Sequence, residues 1–274
     1  MIDAHQHFWK YSPTEYDWID DKMARIRRDF LPDDLAPILA AAGVGGSLAV
    51  QARQTLEETA WLLDLARQFS LIRGVVGWVP LAESGVEKHL DRFAASKALK
   101  GVRHVVQGEP EGFLDRAEFN AGIRQVTARN LVYDILIFAR QLPEAIRFLD
   151  RHPNQRFVVD HIAKPRVSGA PDPVWARGMR ELARRPNVRC KFSGVVTEIP
   201  DWKWTPGLLK PYFDVVLEAF GPSRLMFGSD WPVCLVAISY GEWADCVRSF
   251  VKPLSPDEQA HVLERSVKTA YGLT

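Results

Sequence analysis

A single-domain α/β fold, the (β/α)8 TIM barrel spanning residues 1–274, is what this sequence predicts. Three observations carry the prediction. Eight short runs rich in β-branched residues alternate strictly with segments patterned as helices, which favours a parallel sheet. The length, 274 residues, is one over which such barrels close undivided. No glycine-rich phosphate turn follows the first strand, as a doubly wound open sheet would ordinarily require.

The elements follow in order. Strand 1 is "IDAHQH" (2–7). A helix over 32–43 opens on Pro32-Asp33-Asp34 and closes at Gly43, leading into "GGSLAVQA" (45–52). Helical spacing of apolar residues over 55–69 precedes "IRGVVGWVP" (72–80). A helix from about 83 to 95 leads to "KGVRHVVQ" (100–107), and one over 116–130 leads to "LVYDILIF" (131–138). The segment 141–153 carries proline near both ends and delivers "QRFVVDHIAKP" (155–165). Helices over 173–186 and 206–221 precede "NVRCKFSG" (187–194) and "SRLMFGSDWPV" (223–233). Helices near 241–252 and 256–271 close the chain.

Composition narrows the function classes. Hydrophobic residues make up 47% and charged residues 25%, an ordinary globular mixture able to build a full core. Net charge is +1 and the densest basic run, "RIRRD", is broken at once by acid, so nucleic acid is not favoured as a partner. No run reaches membrane-span length and "MIDAHQHFWK" lacks a signal-peptide layout. Cys190, Cys234 and Cys246 form an odd set without metal-type spacing, reading as free thiols. A cytoplasmic address is the resulting expectation, with a homo-oligomer left open.

In such a barrel, chemistry sits where the strands end. Strand 1 ends in His5 and His7, whose i, i+2 spacing puts both imidazoles on one side. Strand 2 offers Gln51 and Arg53, and strand 4 offers Arg103 and His104, of which one faces inward. Strand 5 carries Asp134, strand 6 Asp160-His161, strand 7 Lys191 and Ser193, and strand 8 Asp230 before Trp231. A polar group within an apolar run is costly unless paired, and seven strands ending in one point to a converging site rather than scattered packing.

These residues resemble the amidohydrolase superfamily, with "HxH" on strand 1, a late His on strand 6 and Asp on strand 8. More narrowly, "DAHQHFW", "GVRHVVQ", "YDILI", "VVDHIAKP", "CKFSG" and "MFGSDWPV" resemble its sugar-lactonase branch, which contains fuconolactonases and rhamnonolactonases. The resemblance implies hydrolysis of a sugar aldonolactone in carbohydrate catabolism. The superfamily's two-metal members place a lysine at the end of strand 4, where this chain reads Arg103-His104, and a His on strand 5, where it reads Tyr133-Asp134. The resemblance therefore implies no metal, or one divalent ion such as zinc held by His5, His7, His161 and Asp230.

Lactone hydrolysis needs an attacking water, stabilisation of the carbonyl oxygen and a proton for the leaving alkoxide. No GxSxG elbow is present, which favours direct attack by water over an acyl-serine. Asp230 is the expected general base and His161 the second acid or base. His5 and His7 would orient water or polarise the carbonyl, and Lys191 would supply positive charge. Arg53, Arg103, His104, Gln51, Asp134 and Ser193 are the expected substrate contacts. Two long loops, over 8–21 and 195–206, carry aromatic rings suited to a sugar face, with Trp9, Trp202 and Trp231 as candidates. An acidic-pyrone lactonase, a metal-dependent decarboxylase and a non-catalytic sugar binder are the competing readings.

Overall fold

The computed structural model describes residues 1–274. One sheet of eight parallel strands runs in chain order: β1 (Asp3–Gln6), β2 (Ser47–Val50), β3 (Ile72–Gly77), β4 (Leu99–His104), β5 (Val132–Ile135), β6 (Phe157–Val159), β7 (Val188–Phe192) and β8 (Leu225–Phe227). Helices α1 (Pro32–Ala41), α2 (Leu56–Gln68), α3 (Val86–Ala94), α4 (Ala117–Ala128), α5 (Leu142–Arg151), α6 (Pro173–Ala183), α7 (Pro206–Phe220) and α8 (Tyr240–Val251) follow the strands in turn. This is the predicted (β/α)8 barrel. No helix is long and apolar enough to cross a membrane.

Strand periodicity sorts the core into two parts. On β6, Phe157 and Val159 face the helices, whereas Val158 faces the barrel interior with Val50, Val76 and Met226. The lower end of the barrel is stoppered by the chain terminus. There, α9 (Pro256–Ala260) and α10 (Ser266–Tyr271) flank a π-type turn, His261–Arg265, that interrupts the helix expected over 256–271. Val262 and Val267 are both buried, and their five-residue separation suits the wider turn better than an α-helix. Val267, Ala270 and Tyr271 insert into the interior cluster.

The barrel closes beside the site. The Asp230 N–H donates to the His5 carbonyl (2.8 Å) and the His7 N–H to the Trp231 carbonyl (2.7 Å). Below that seam the buried Asp3 carboxylate accepts from the Ser229 hydroxyl (2.6 Å), the Ser229 and His5 N–H groups (2.9 and 3.0 Å) and the Tyr240 hydroxyl (3.1 Å). Burial pushes its pKa up to about 6. Closure therefore fixes His5, His7 and Asp230 relative to one another.

Two strands end earlier than their sequence pattern. Residues 155–165 are extended only to Val159, and 223–233 only to Phe227. In both cases the residues that follow leave the extended conformation to turn polar side chains into the barrel mouth.

Candidate active site

A cleft of about 470 Å³ opens at the C-terminal ends of the strands. His7, Arg103, His161 and Asp230 line its deep end; Arg53, Gln54, Gln107, Lys164 and Trp18 stand around it. Its position is the one that barrel enzymes use.

The floor is a convergence of acceptors. His7 Nδ1 lies 2.8 Å from the Val50 carbonyl, which can only accept, so the proton is on Nδ1 and Nε2 carries a lone pair. That Nε2 faces Asp230 Oδ1 at 3.3 Å and His5 Nε2 at 3.2 Å. His161 Nδ1 bonds Ser193 Oγ at 2.9 Å, leaving Nε2 3.8 Å from the same Oδ1. Burial lowers the pKa of His161 to about 4 and that of His5 well below its ordinary value. Burial opposes ionisation of Asp230, but the charge interaction with His161 leads the effects that outweigh it and hold the carboxyl below its usual range. A carboxylate beside the His5 and His161 imidazoles, whose protonation burial disfavours, calls for a cation, either a proton or a metal.

The donor set fits a divalent ion. Donor atoms of His5, His161 and Asp230 all lie within 4.8 Å of one another and all three residues are buried. Two imidazole nitrogens on one tetrahedral zinc at ~2.0–2.1 Å would stand about 3.3 Å apart, close to the His5–His7 separation. Asp160 beside His5 Nδ1 (3.3 Å) is the kind of carboxylate partner that orients ligating imidazoles.

Backbone strain aims this chemistry. His161, Ile162, Ala163 and Lys164 all have positive φ (52°, 49°, 58° and 45°), one turn of left-handed helix without a glycine. Each such residue costs roughly 1–2 kcal/mol. Burial of Ile162 and Ala163 and a 2.9 Å bond from Trp175 Nε1 to the Ile162 carbonyl hold the turn in place. Its two ends, His161 and Lys164, both line the cleft. Gly194 supports the same spot: at φ +63°, an added Cβ would lie 2.5 Å from His161 Nδ1 and 2.9 Å from Asp230 Oδ2.

Several expected contacts lie elsewhere. Lys191 is fully buried beneath the floor, with Nζ 2.5 Å from Asp134, 3.0 Å from Asp160 and 3.2 Å from His5 Nδ1. It sits inside strand β7 rather than beyond it, so neither it nor Asp134 lines the cleft. Asp134 also accepts from Tyr271 at 2.8 Å, which joins the stopper helix to the floor. Arg103 is the inward member of its pair, bonded to Asp160 (3.0 Å) and to the Gln51 carbonyl. His104 faces outward, bonded to Glu109 (2.7 Å) and stacked on Phe113. Gln51 is buried against Arg103, and Ser193 is turned to His161; neither lines the cleft.

The aromatic candidates are corrected as well. Trp9 is fully buried, its Nε1 bonded to the Arg28 carbonyl, because the chain pairs there with Phe30. Trp231, one residue beyond Asp230, turns away and packs on Phe30 and Phe8. Trp202 is half-buried outside the cleft, where the chain reverses at positive φ. The ring that does reach the cleft is Trp18, 41% exposed and packed edge-on against Trp9. Asp160, named at the end of strand 6, serves as the buried ion-pair partner of Lys191 and Arg103, and Lys164, in the same "VVDHIAKP", is a lining residue outside the candidates.

The Arg53 wall depends on Glu58. One Glu58 oxygen accepts from the Ala52 and Arg53 N–H groups (3.1 and 2.7 Å), while the other is buried without a partner. Burial pushes this carboxyl up to about 7. The folded pKa is raised above its unfolded value, so the fold is favoured below about pH 4 and loses that advantage as pH rises through 7. Glu58→Gln is expected to flatten the decline of the urea midpoint between pH 5 and 8; an unchanged slope would assign that decline to other groups.

The amidohydrolase family model matches residues 2–272. The chain belongs to the amidohydrolase family. Within that family it is 41% identical to an L-fucono-1,5-lactonase of Burkholderia multivorans, over 99% of this chain and 96% of the relative. It is 26% identical to an L-rhamnono-gamma-lactonase of Scheffersomyces stipitis over 58% of this chain and 54% of that one. Among solved amidohydrolases, a Burkholderia multivorans structure with bound zinc superposes with a TM-score of 0.96 at 40% identity, covering 100% of this chain and 99% of the other.

Proposed function

We propose that this amidohydrolase hydrolyses a neutral sugar aldonolactone, of the L-fucono or L-rhamnono type, to the open sugar acid. The observation that carries the reading is the floor, where one ionised carboxylate stands among three imidazoles at the end of a polar cleft. The two lactonase relatives act on substrates of this class by name.

Asp230, with His161, takes the proton of the attacking water and returns it to the ring oxygen as the ester bond breaks. His7, fixed by Val50, and His5, with Lys191 and Asp160 against its Nδ1, orient that water. A divalent ion held by His5, His7, His161 and Asp230 would add Lewis-acid polarisation and lower the pKa of bound water. Ser193 positions His161, while Arg103 and Gln51 brace the wall. Trp18 offers an exposed face to the apolar side of a sugar ring.

Charge matching favours a neutral substrate. Arg53 is paired with Glu15 (2.9 Å) and Arg103 with Asp160 (3.0 Å), which leaves Lys164, in a long pair with Glu198 (3.6 Å), as the single cation of the lining with donors to spare. A dicarboxylate pyrone would find no unmatched cation cluster, so this pattern weighs against the acidic-pyrone reading.

The test is a panel of aldonolactones in weak buffer, followed by acid release with an indicator. Acidification above background for a few related sugars is the expected result, and repetition after chelation reads the metal's share. Background rates for every sugar lactone would overturn the proposal.

A further inference from the structure

We propose that Lys164 is a catalytic residue that donates a hydrogen bond to the lactone carbonyl oxygen as negative charge builds there. The inference rests on the lactonase reading and extends it to a residue outside the initial set of candidates.

Three observations converge. The ammonium lines the cleft beside His161 and Asp230, carried there by the left-handed turn described above. Its donors are only partly used: Nζ forms a long ion pair with Glu198 (3.6 Å) and lies 5.7 Å from the Phe138 ring centroid, which leaves protons of the ammonium for a ligand. The cation at the deep end is already committed. Arg103 gives Nη1 to Asp160 and Nη2 to Gln51, and its Nε is buried without a partner, out of reach of a ligand. Lys164 is therefore the cation lining the cleft with protons to offer.

The step balances without any further reactant. Water oxygen bonds to the carbonyl carbon, and the C=O pair moves onto oxygen, where the Lys164 ammonium meets it and stays protonated. Collapse restores C=O and breaks the ring C–O bond. The ring oxygen then receives the proton that Asp230 and His161 took from water. Glu198, 3.6 Å away, balances the charge of the ammonium without taking up all its donors.

The bland alternative is that Lys164 merely ties the loop after β6 to the loop after β7 through Glu198. Lys164→Met and Glu198→Gln separate the two. Loss of one oxyanion donor is expected to lower kcat by about 10²–10³-fold with KM little changed. Glu198→Gln keeps the ammonium and should stay far nearer the native rate. Lys164→Ala should regain activity when methylammonium is added, which a tether would not; this also serves if Lys164→Met folds poorly. Equal losses in Lys164→Met and Glu198→Gln, a loss confined to KM, or no amine rescue in folded Lys164→Ala would overturn the assignment. If the native protein hydrolyses no sugar lactone, the lactonase reading itself fails. A native enzyme that is active and a Lys164→Met that keeps its kcat sink this inference alone.

Discussion

Replacing Asp230 by Asn is expected to lower kcat/KM for the best lactone about 10³-fold, or about 4 kcal/mol of transition-state stabilisation. The variant keeps the shape of the side chain and removes the carboxylate that His5, His7 and His161 all approach. Because the Asp230 backbone, not its side chain, closes the barrel onto His5, the fold should survive. Steady-state kinetics and a melting curve on the same preparation check both halves. Residual activity above a tenth of native would remove Asp230 from the role of base. Catalysis lost in a folded variant that still binds the sugar acid would also set the protein apart from a mere sugar binder.

Lys191→Met carries the largest expected effect on stability. The native ammonium is completely buried and shared by Asp134 and Asp160. Removing it leaves carboxylates in the barrel interior with Arg103 as the remaining cation nearby. Breaking a buried pair in this one-sided way costs about 3–5 kcal/mol, because the stranded charge keeps its desolvation penalty. A lower denaturant midpoint with an unchanged m-value is the expected signature. Asp134→Asn added to Lys191→Met should recover part of the loss, since Tyr271 still has an oxygen to donate to. A midpoint unmoved by Lys191→Met would mean that these carboxylates are not held as a charged set.

Much of this was legible in one dimension. Alternating strand and helix patterns predict the barrel because each strand must bury both faces, and each helix only one. His5 and His7 at i, i+2 announce a shared side, and Asp230 ends the last strand where chemistry is expected. The errors have a common origin. The period-2 alternation stops at the real ends of the strands, and Trp231 and Trp202, beyond them, no longer obey it. Lys191 shows the converse: it lies within its strand, so inward direction meant burial beneath the site rather than access to it.

The sequence by itself determined the fold class, the residues that ring the mouth and the chemical family of the protein. Those follow from periodicity and residue type, which are local and additive along the chain. Only the tertiary structure decided that Arg103 rather than His104 faces inward, that Trp18 rather than Trp9 meets the cleft, and that Lys164 keeps protons to spare. Each of these depends on partners far away in the chain, among them Asp160, Phe30 and Glu198. A side chain's freedom to act is set by what has already claimed its hydrogen bonds, and that is known only once the barrel has closed.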